Sequence, residues 1–198
     1  MTLLQAERLT FQRGGEDIFE PVSLTLAAGR VIVIRGDNGA GKTTLLRVLA
    51  GVLSPSSGCV RLNAEPIFVG HLPAVKADLS GRENLHYERQ LGASQTTIAM
   101  ALIQVGLAGM GARPARTLSA GQKKRLGLAR LLVRNAPIWL LDEPYASLDA
   151  AGCARVDALI DAHTSQGGAV VLSTHQQLPQ LDAAIDYLNV ASASAADG

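Results

Sequence analysis

The sequence predicts an α/β domain: a sheet core with flanking helices, interrupted by a helical insert at about 71–135. Three observations carry this reading. Val31-Ile32-Val33-Ile34 is apolar on both faces, as a buried central strand requires, and stops at Gly36 just before a helical pattern. Further apolar runs return late in the chain, at Ile138–Leu141 and Ala169–Ser173. Between them, the stretch after His71 changes to helical spacing with two capping-box starts.

In chain order, the first 62 residues read as strands around one short helix. Ser23–Leu26 turns through Ala27-Ala28-Gly29 into Val31–Ile34. A helix follows from about Lys42 to Ala50, with Leu45, Leu46, Val48 and Leu49 inward and Gly51 as its C′ residue. Residues 54–58 are a loop and Cys59–Leu62 a short strand. Ser80-x-x-Glu83 opens a helix through Leu85 and Tyr87, and a second helix spans about Gln95 to Val105. Residues 106–117, with three glycines, two arginines and a proline, form a loop. Ser119-x-x-Gln122 starts a helix that reaches Asn135 and stops before Pro137. A helix over Ala150–His163 separates the two late strands, and the tail from Ala191 is small and polar, expected to fray.

Composition bounds the function. The 198 residues are 47% hydrophobic and 18% charged, enough for one domain with a real core and too apolar for disorder. A net charge of +1 excludes a global basic field for nucleic acid. Mean hydropathy is +0.19, yet no apolar run approaches the roughly 18–20 residues of a membrane span. The first fifteen residues lack the apolar stretch of a secretory signal, and two cysteines, Cys59 and Cys153, make no disulfide framework. These features point to a cytoplasmic protein that docks on something apolar.

Gly36-Asp37-Asn38-Gly39-Ala40-Gly41-Lys42-Thr43 matches the P-loop pattern between a buried strand and a helix, the context that gives the match meaning. Glycines let backbone N–H groups curl around phosphate, and the helix N-terminus adds a favourable dipole. Lys42 is placed to contact the β- and γ-phosphates of ATP, Thr43 to ligate Mg²⁺, and Thr44 to line the same turn. Ile138-Trp139-Leu140-Leu141-Asp142-Glu143 is an apolar strand ending in two carboxylates. Asp142 suits Mg²⁺ and Glu143 suits activation of a water, though alone the pair is equally an ordinary strand end. Arg113, Arg116, Lys123, Lys124, Arg125, Arg130 and Arg134 form a basic stretch without an intervening acid. It reads first as a solvated helix face and second as a coupling surface for a partner or anionic headgroups.

Leu118-Ser119-Ala120-Gly121-Gln122, 23 residues before Asp142, completes an ordered set. With it the chain resembles the nucleotide-binding domains of ABC-type ATPases, whose signature reads Leu-Ser-Gly-Gly-Gln. Ala120 is a mild departure. Ser147-Leu148-Asp149 resembles the family's D-loop, and His175, in Ser173-Thr174-His175, its switch histidine. The resemblance implies a P-loop NTPase core of mixed sheet and flanking helices at 1–70 and 136–198, with a helical subdomain at 71–135 carrying the signature. It also implies head-to-tail homodimers with ATP between the P-loop of one chain and Ser119, Gly121 and Gln122 of the other, Asp149 lying nearby. Lys42, Glu143 and His175 are then the catalytic residues, and Thr43 and Asp142 the metal ligands. Phe11 is the candidate to stack on adenine, with Arg13 a rival and a core position for Phe11 the alternative. Where the family usually has a glutamine at entry to the insert, this chain has His71, and the preceding Asn63–Val69 is short for the family.

Gly70-His71-Leu72-Pro73, Lys76, Leu79-Ser80, Glu83-Asn84-Leu85-His86 and Thr174-His175-Gln176 resemble, more narrowly, the ATP-binding subunits of bacterial haem exporters in cytochrome c maturation. That resemblance implies integral membrane permease partners, a peripheral place on the cytoplasmic face of the inner membrane, and no nucleic-acid partner. A subunit of another small exporter, a non-transport ATPase in cofactor assembly and a nucleic-acid-associated ATPase are the competing readings. The last would carry two cassettes or a long coiled coil, whereas here each motif occurs once and heptads are lacking. No residue identifies haem; a Cys-x-x-Cys-His attachment site is lacking.

Overall fold

The computed structural model describes residues 1–72, 74–92, 94–175 and 179–193; Pro73, Gln176 and the tail beyond 193, all used in the reading above, lie outside them. Its strands are β1 (Thr2–Thr10), β2 (Gln12–Arg13), β3 (Glu16–Asp17), β4 (Val22–Ala27), β5 (Arg30–Arg35), β6 (Ser57–Leu62), β7 (Pro66–Val69), β8 (Ile138–Asp142), β9 (Ala169–Ser173) and β10 (Ala184–Asn189). Its helices are α1 (Lys42–Leu49), α2 (Gly81–Arg89), α3 (Ile98–Gln104), α4 (Ala120–Val133) and α5 (Ala150–Ser165).

The two strand directions are divided between sheets. One sheet is wholly parallel, in the order β10-β5-β9-β8-β7; another is antiparallel, in the order β4-β1-β6, and β2 with β3 forms a small ribbon. Alternation within β5 shows why its apolar run is continuous. Ile32 and Ile34 join the cluster shared with β1, β4 and α1, while Val31 and Val33 join the opposite cluster with Trp139, Leu141, Val156 and Ile160. Both faces of the parallel sheet are covered, so both faces must be apolar.

A third cluster lies within the helical segment: Leu85 of α2, Leu102 of α3, and Leu126, Ala129 and Val133 of α4. Helix α4 also sends Leu128 and Leu131 into the cluster beneath the parallel sheet. It is therefore buried on two sides and joins the helical segment to the sheet core. Ser80 and Ser119 both close capping boxes, as their sequence patterns predict.

Three sequence expectations need correction. Strands β7 and β10 were not expected; each is short or broken by Asp and Asn, and pairing with a neighbour decides it. Helix α3 begins at Ile98 rather than Gln95, because Thr97 caps it by accepting from the Met100 N–H. The basic stretch is not a solvated face: Lys124 is 3% exposed and Arg130 pairs with Glu88 at 2.9 Å. Arg125 donates to the carbonyls of Val105 and Gly106. Arg113 and Arg116 alone of that run are exposed.

Candidate nucleotide site

The site forms where parallel strands end. β5 runs into the P-loop, β7 into Gly70-His71, β8 into Asp142-Glu143, and β9 into Thr174-His175. Carboxyl ends of neighbouring parallel strands are where α/β sheets place ligands.

Gly36 has φ of 147°, and a Cβ there would sit 2.3 Å from the Val190 carbonyl oxygen, so only glycine fits. Gly41 takes φ of 94° as N-cap of α1 and offers no capping side chain. The first-turn N–H groups of α1 are thus left for an anion. Lys42 is 8% exposed and its Nζ donates to the carbonyls of Gly36 and Asp37, at 2.7 and 2.8 Å. An ammonium carries three protons, so one donor remains for phosphate. Asp37, Asn38 and Gly39 form the exposed rim, the Ala40 N–H bonds to the Asp37 carbonyl, and Thr44 is buried in the first turn.

Thr43 joins this loop to β8: its hydroxyl lies 3.0 Å from each carboxylate oxygen of Asp142. Hydroxyl and carboxylate are hard oxygen donors, already brought together, and that donor set fits Mg²⁺, which keeps several waters and takes few protein ligands. Ser173, fully buried at the end of β9, donates to Asp142 Oδ1 at 2.8 Å and accepts from the Glu143 N–H at 3.1 Å. Glu143 has φ of 51°, a left-handed conformation rare outside glycine and costing of order 1–3 kcal/mol. That turn sends its side chain toward His175, whose Nδ1 lies 2.9 Å from Glu143 Oε1.

The segment after Glu143 is held from behind. Tyr145 donates to Asp157 of α5 at 2.6 Å. Burial, with the neighbouring Asp157 adding to it, pushes the Tyr145 hydroxyl far above its usual range; burial also raises the Asp157 carboxyl. Asp149 caps α5 by accepting from the Gly152 N–H at 2.7 Å. Between them the Ser147 carbonyl comes within 3.0 Å of where a Cβ on Gly121 would stand.

Thus Lys42, Thr43, Asp142, Glu143 and His175 converge. The signature residues do not: among the described residues no hydrogen bond joins Ser119, Gly121 or Gln122 to the P-loop. Ser119 and Gln122 instead bond to each other, each side chain accepting from the other's backbone N–H. Exposed His71 follows β7 at the same sheet edge. Phe11 is half-buried between β1 and β2, packs on the first cluster, and accepts at its carbonyl from the Ile18 N–H; Ile18 lies against Gly41. Arg13 is exposed. Ser173 and Lys124 were missed by sequence reasoning. Ser173 carried a signal, a hydroxyl ending an apolar strand; Lys124 stands at i, i+4, i+7 with Leu128 and Leu131, on the inward stripe of α4.

A family model described as ABC transporter matches residues 19–146. The chain belongs to the ABC transporter family. It is an ABC-type ATPase. A protein named Cytochrome c biogenesis ATP-binding export protein CcmA, from Rhodobacter capsulatus, is 49% identical over 90% of this chain and 83% of its own length. Proteins of the same name from Xanthomonas oryzae and Pseudomonas syringae are 46% and 40% identical, over 87% and 97% of this chain and 86% and 97% of their own. Among solved structures, one named as an ABC transporter ATP-binding protein from Pyrococcus furiosus matches with a TM-score of 0.80 at 26% identity, over 93% of this chain and 96% of that one. An ATP-binding cassette solved as a dimer with ADP and Pi matches equally, with a TM-score of 0.80 over 88% of each chain; at 22% identity it speaks to the fold alone.

Proposed function

We propose that this chain is the ATP-hydrolysing subunit of an ABC membrane complex serving c-type cytochrome biogenesis, with haem the cargo that its narrower resemblance implies. The observation that carries the ATPase half is Glu143, turned by its left-handed backbone to 2.9 Å from His175 and adjacent to the Thr43–Asp142 pair. The names of the 40–49% identical relatives carry the biological half.

In this reading Lys42 and the first-turn N–H groups of α1 bind the β- and γ-phosphates. Thr43 and Asp142 would hold Mg²⁺, which would supply positive charge beside the phosphates when bound. Glu143 accepts the proton of the attacking water, and His175 orients that carboxylate beside the γ-phosphate. One P-loop and one signature per chain make the complete site a product of two chains, so the working form is a homodimer. Ser119 and Gly121 then meet the γ-phosphate held by the other copy.

The membrane partner is an integral permease docking on the residues after His71. Leu72, Tyr87 and Leu91, in the segment of chain that follows His71, are exposed large apolar side chains. Among the described residues no helix is long and apolar enough to cross a membrane, so attachment at the cytoplasmic face of the inner membrane is through that partner. His71 is proposed to stand in for the family glutamine that reports γ-phosphate occupancy to the insert. A tagged chain is expected to co-purify with a multi-span membrane protein, and cells lacking it are expected to lose c-type cytochromes. Normal cytochromes in the deletion strain would count decisively against the biogenesis role while leaving the ATPase intact.

A further inference from the structure

Lys124 stands in a run of cations in the sequence, yet the fold takes it out of water. It lies on α4 one turn beyond the Ser119 cap and is 3% exposed. Its Nζ donates, at 3.4 Å each, to the main-chain carbonyls of His71 and Asp142. Those carbonyls sit at the ends of adjacent parallel strands, β7 and β8, whose register pairs Val69 with Leu141. Burial pushes the ammonium below its usual range, and the nearby Asp142 and Glu143 charges oppose that. A buried ammonium without partners is strongly disfavoured, so this one constrains where α4 sits relative to those strand ends.

We propose that Lys124 is a positioning residue that ties the helix carrying Ser119 and Gln122 to the strand ends carrying His71, Asp142 and Glu143, so that the signature and the general base move together. The inference rests on the ATPase reading above. α4 is the element that suits such a tie, because its apolar residues enter both the insert cluster and the sheet cluster. Since Lys124 grips main-chain oxygens, the tie is indifferent to the side chain at position 71. A change of His71 and a change of Lys124 therefore have different consequences for α4.

The experiment compares purified wild type, Lys124→Met, Lys124→Arg and His71→Ala. It reads steady-state ATP hydrolysis with Mg²⁺, binding of a fluorescent ATP analogue, thermal midpoint, and hydrogen–deuterium exchange across residues 123–127. Lys124→Met is expected to lower kcat on the order of 10- to 10²-fold, the scale of a small misplacement of catalytic groups. It is expected to keep analogue binding and to speed exchange in that segment; Lys124→Arg is expected to recover part of both losses. His71→Ala should leave exchange across 123–127 as in wild type. Wild-type kcat and exchange in Lys124→Met would overturn the proposal, as would equal losses in the Met and Arg variants that track the thermal midpoint. Should Lys124→Met not fold, Lys124→Gln, a shorter neutral donor, is read the same way. If wild type itself fails to hydrolyse ATP while Lys124→Met still speeds exchange, the ATPase reading falls and the tie stands.

Discussion

The two halves of the nucleotide site are built differently. At the P-loop end every functional side chain has a partner within the chain: Lys42 on its own loop, Thr43 on Asp142, Ser173 on Asp142 and the Glu143 backbone, His175 on Glu143. At the signature end, among the described residues, the Ser119 and Gln122 side chains bond to each other's backbone, at a largely exposed helix start. The first half is pre-assembled by strands fixed in register; the second is a well-capped helix start that, among the described residues, makes no hydrogen bond to the P-loop. A chain finished at one end and open at the other suits the proposed homodimer, in which a second copy would complete the site.

The sharpest way to break that contrast is at Glu143, the proposed general base. Glu143→Gln keeps the shape of the side chain and removes its proton affinity, so hydrolysis should fall on the order of 10²–10⁴-fold with ATP still bound. Undiminished turnover in a purified sample would take Glu143 out of the chemistry. The open end answers to a different change. Ser119→Arg puts bulk and charge where, in the proposed dimer, the other copy's phosphate would lie, and should abolish the ATP-dependent dimer that Glu143→Gln is expected to accumulate. Sedimentation with saturating ATP and Mg²⁺ checks this: a dimer that survives Ser119→Arg contradicts the composite site, and a monomer in both backgrounds contradicts the dimer itself.

Smaller effects sharpen the comparison. Ser173→Ala removes one hydroxyl that holds Asp142 and the Glu143 backbone together. Partners of this kind typically cost 10–100-fold in metal affinity or activity, so the Mg²⁺ concentration for half-maximal activity should rise by about that factor. An unchanged Mg²⁺ dependence would leave Ser173 a packing residue. The smallest effect belongs to neither half. His163 stacks on Trp139 with ring centroids 3.8 Å apart, near the start of β8 and away from the site. Burial lowers its pKa from 6.5 to about 4. A depressed pKa means that the folded state favours the neutral ring. Its contribution to stability is therefore complete above pH 6.5 and lost as pH falls from there towards about 4. Thermal midpoints should decline over that window, and less so in His163→Gln; parallel declines would exclude His163 as the cause.

Much of this was legible in the residues. The P-loop glycines announce a backbone that only glycine can take, and Lys42, Thr43, Asp142 and Glu143 stand beside strand ends that hydrophobic runs reveal. Local physics suffices there: periodicity, caps and positive φ are properties of short segments. β7 and β10 escaped notice because a four-residue strand, or one holding Asp186 and Asn189, is stabilised by its neighbour's hydrogen bonds rather than by its own pattern. Lys124 was misread because charge alone says solvent, while its direction on α4 says core.

The sequence by itself determined the class of chemistry, since phosphate binding needs a particular loop next to a particular helix and both are contiguous in the chain. It determined the starts of α2 and α4 too, because a capping box is closed within four residues. Only the tertiary structure decided which distant groups meet. Thr43 reaches Asp142 across 99 positions, and Ser173 reaches Asp142 across 31. The parallel register of β5, β9 and β8 sets those meetings, and register is a property of the assembled sheet that no single strand contains.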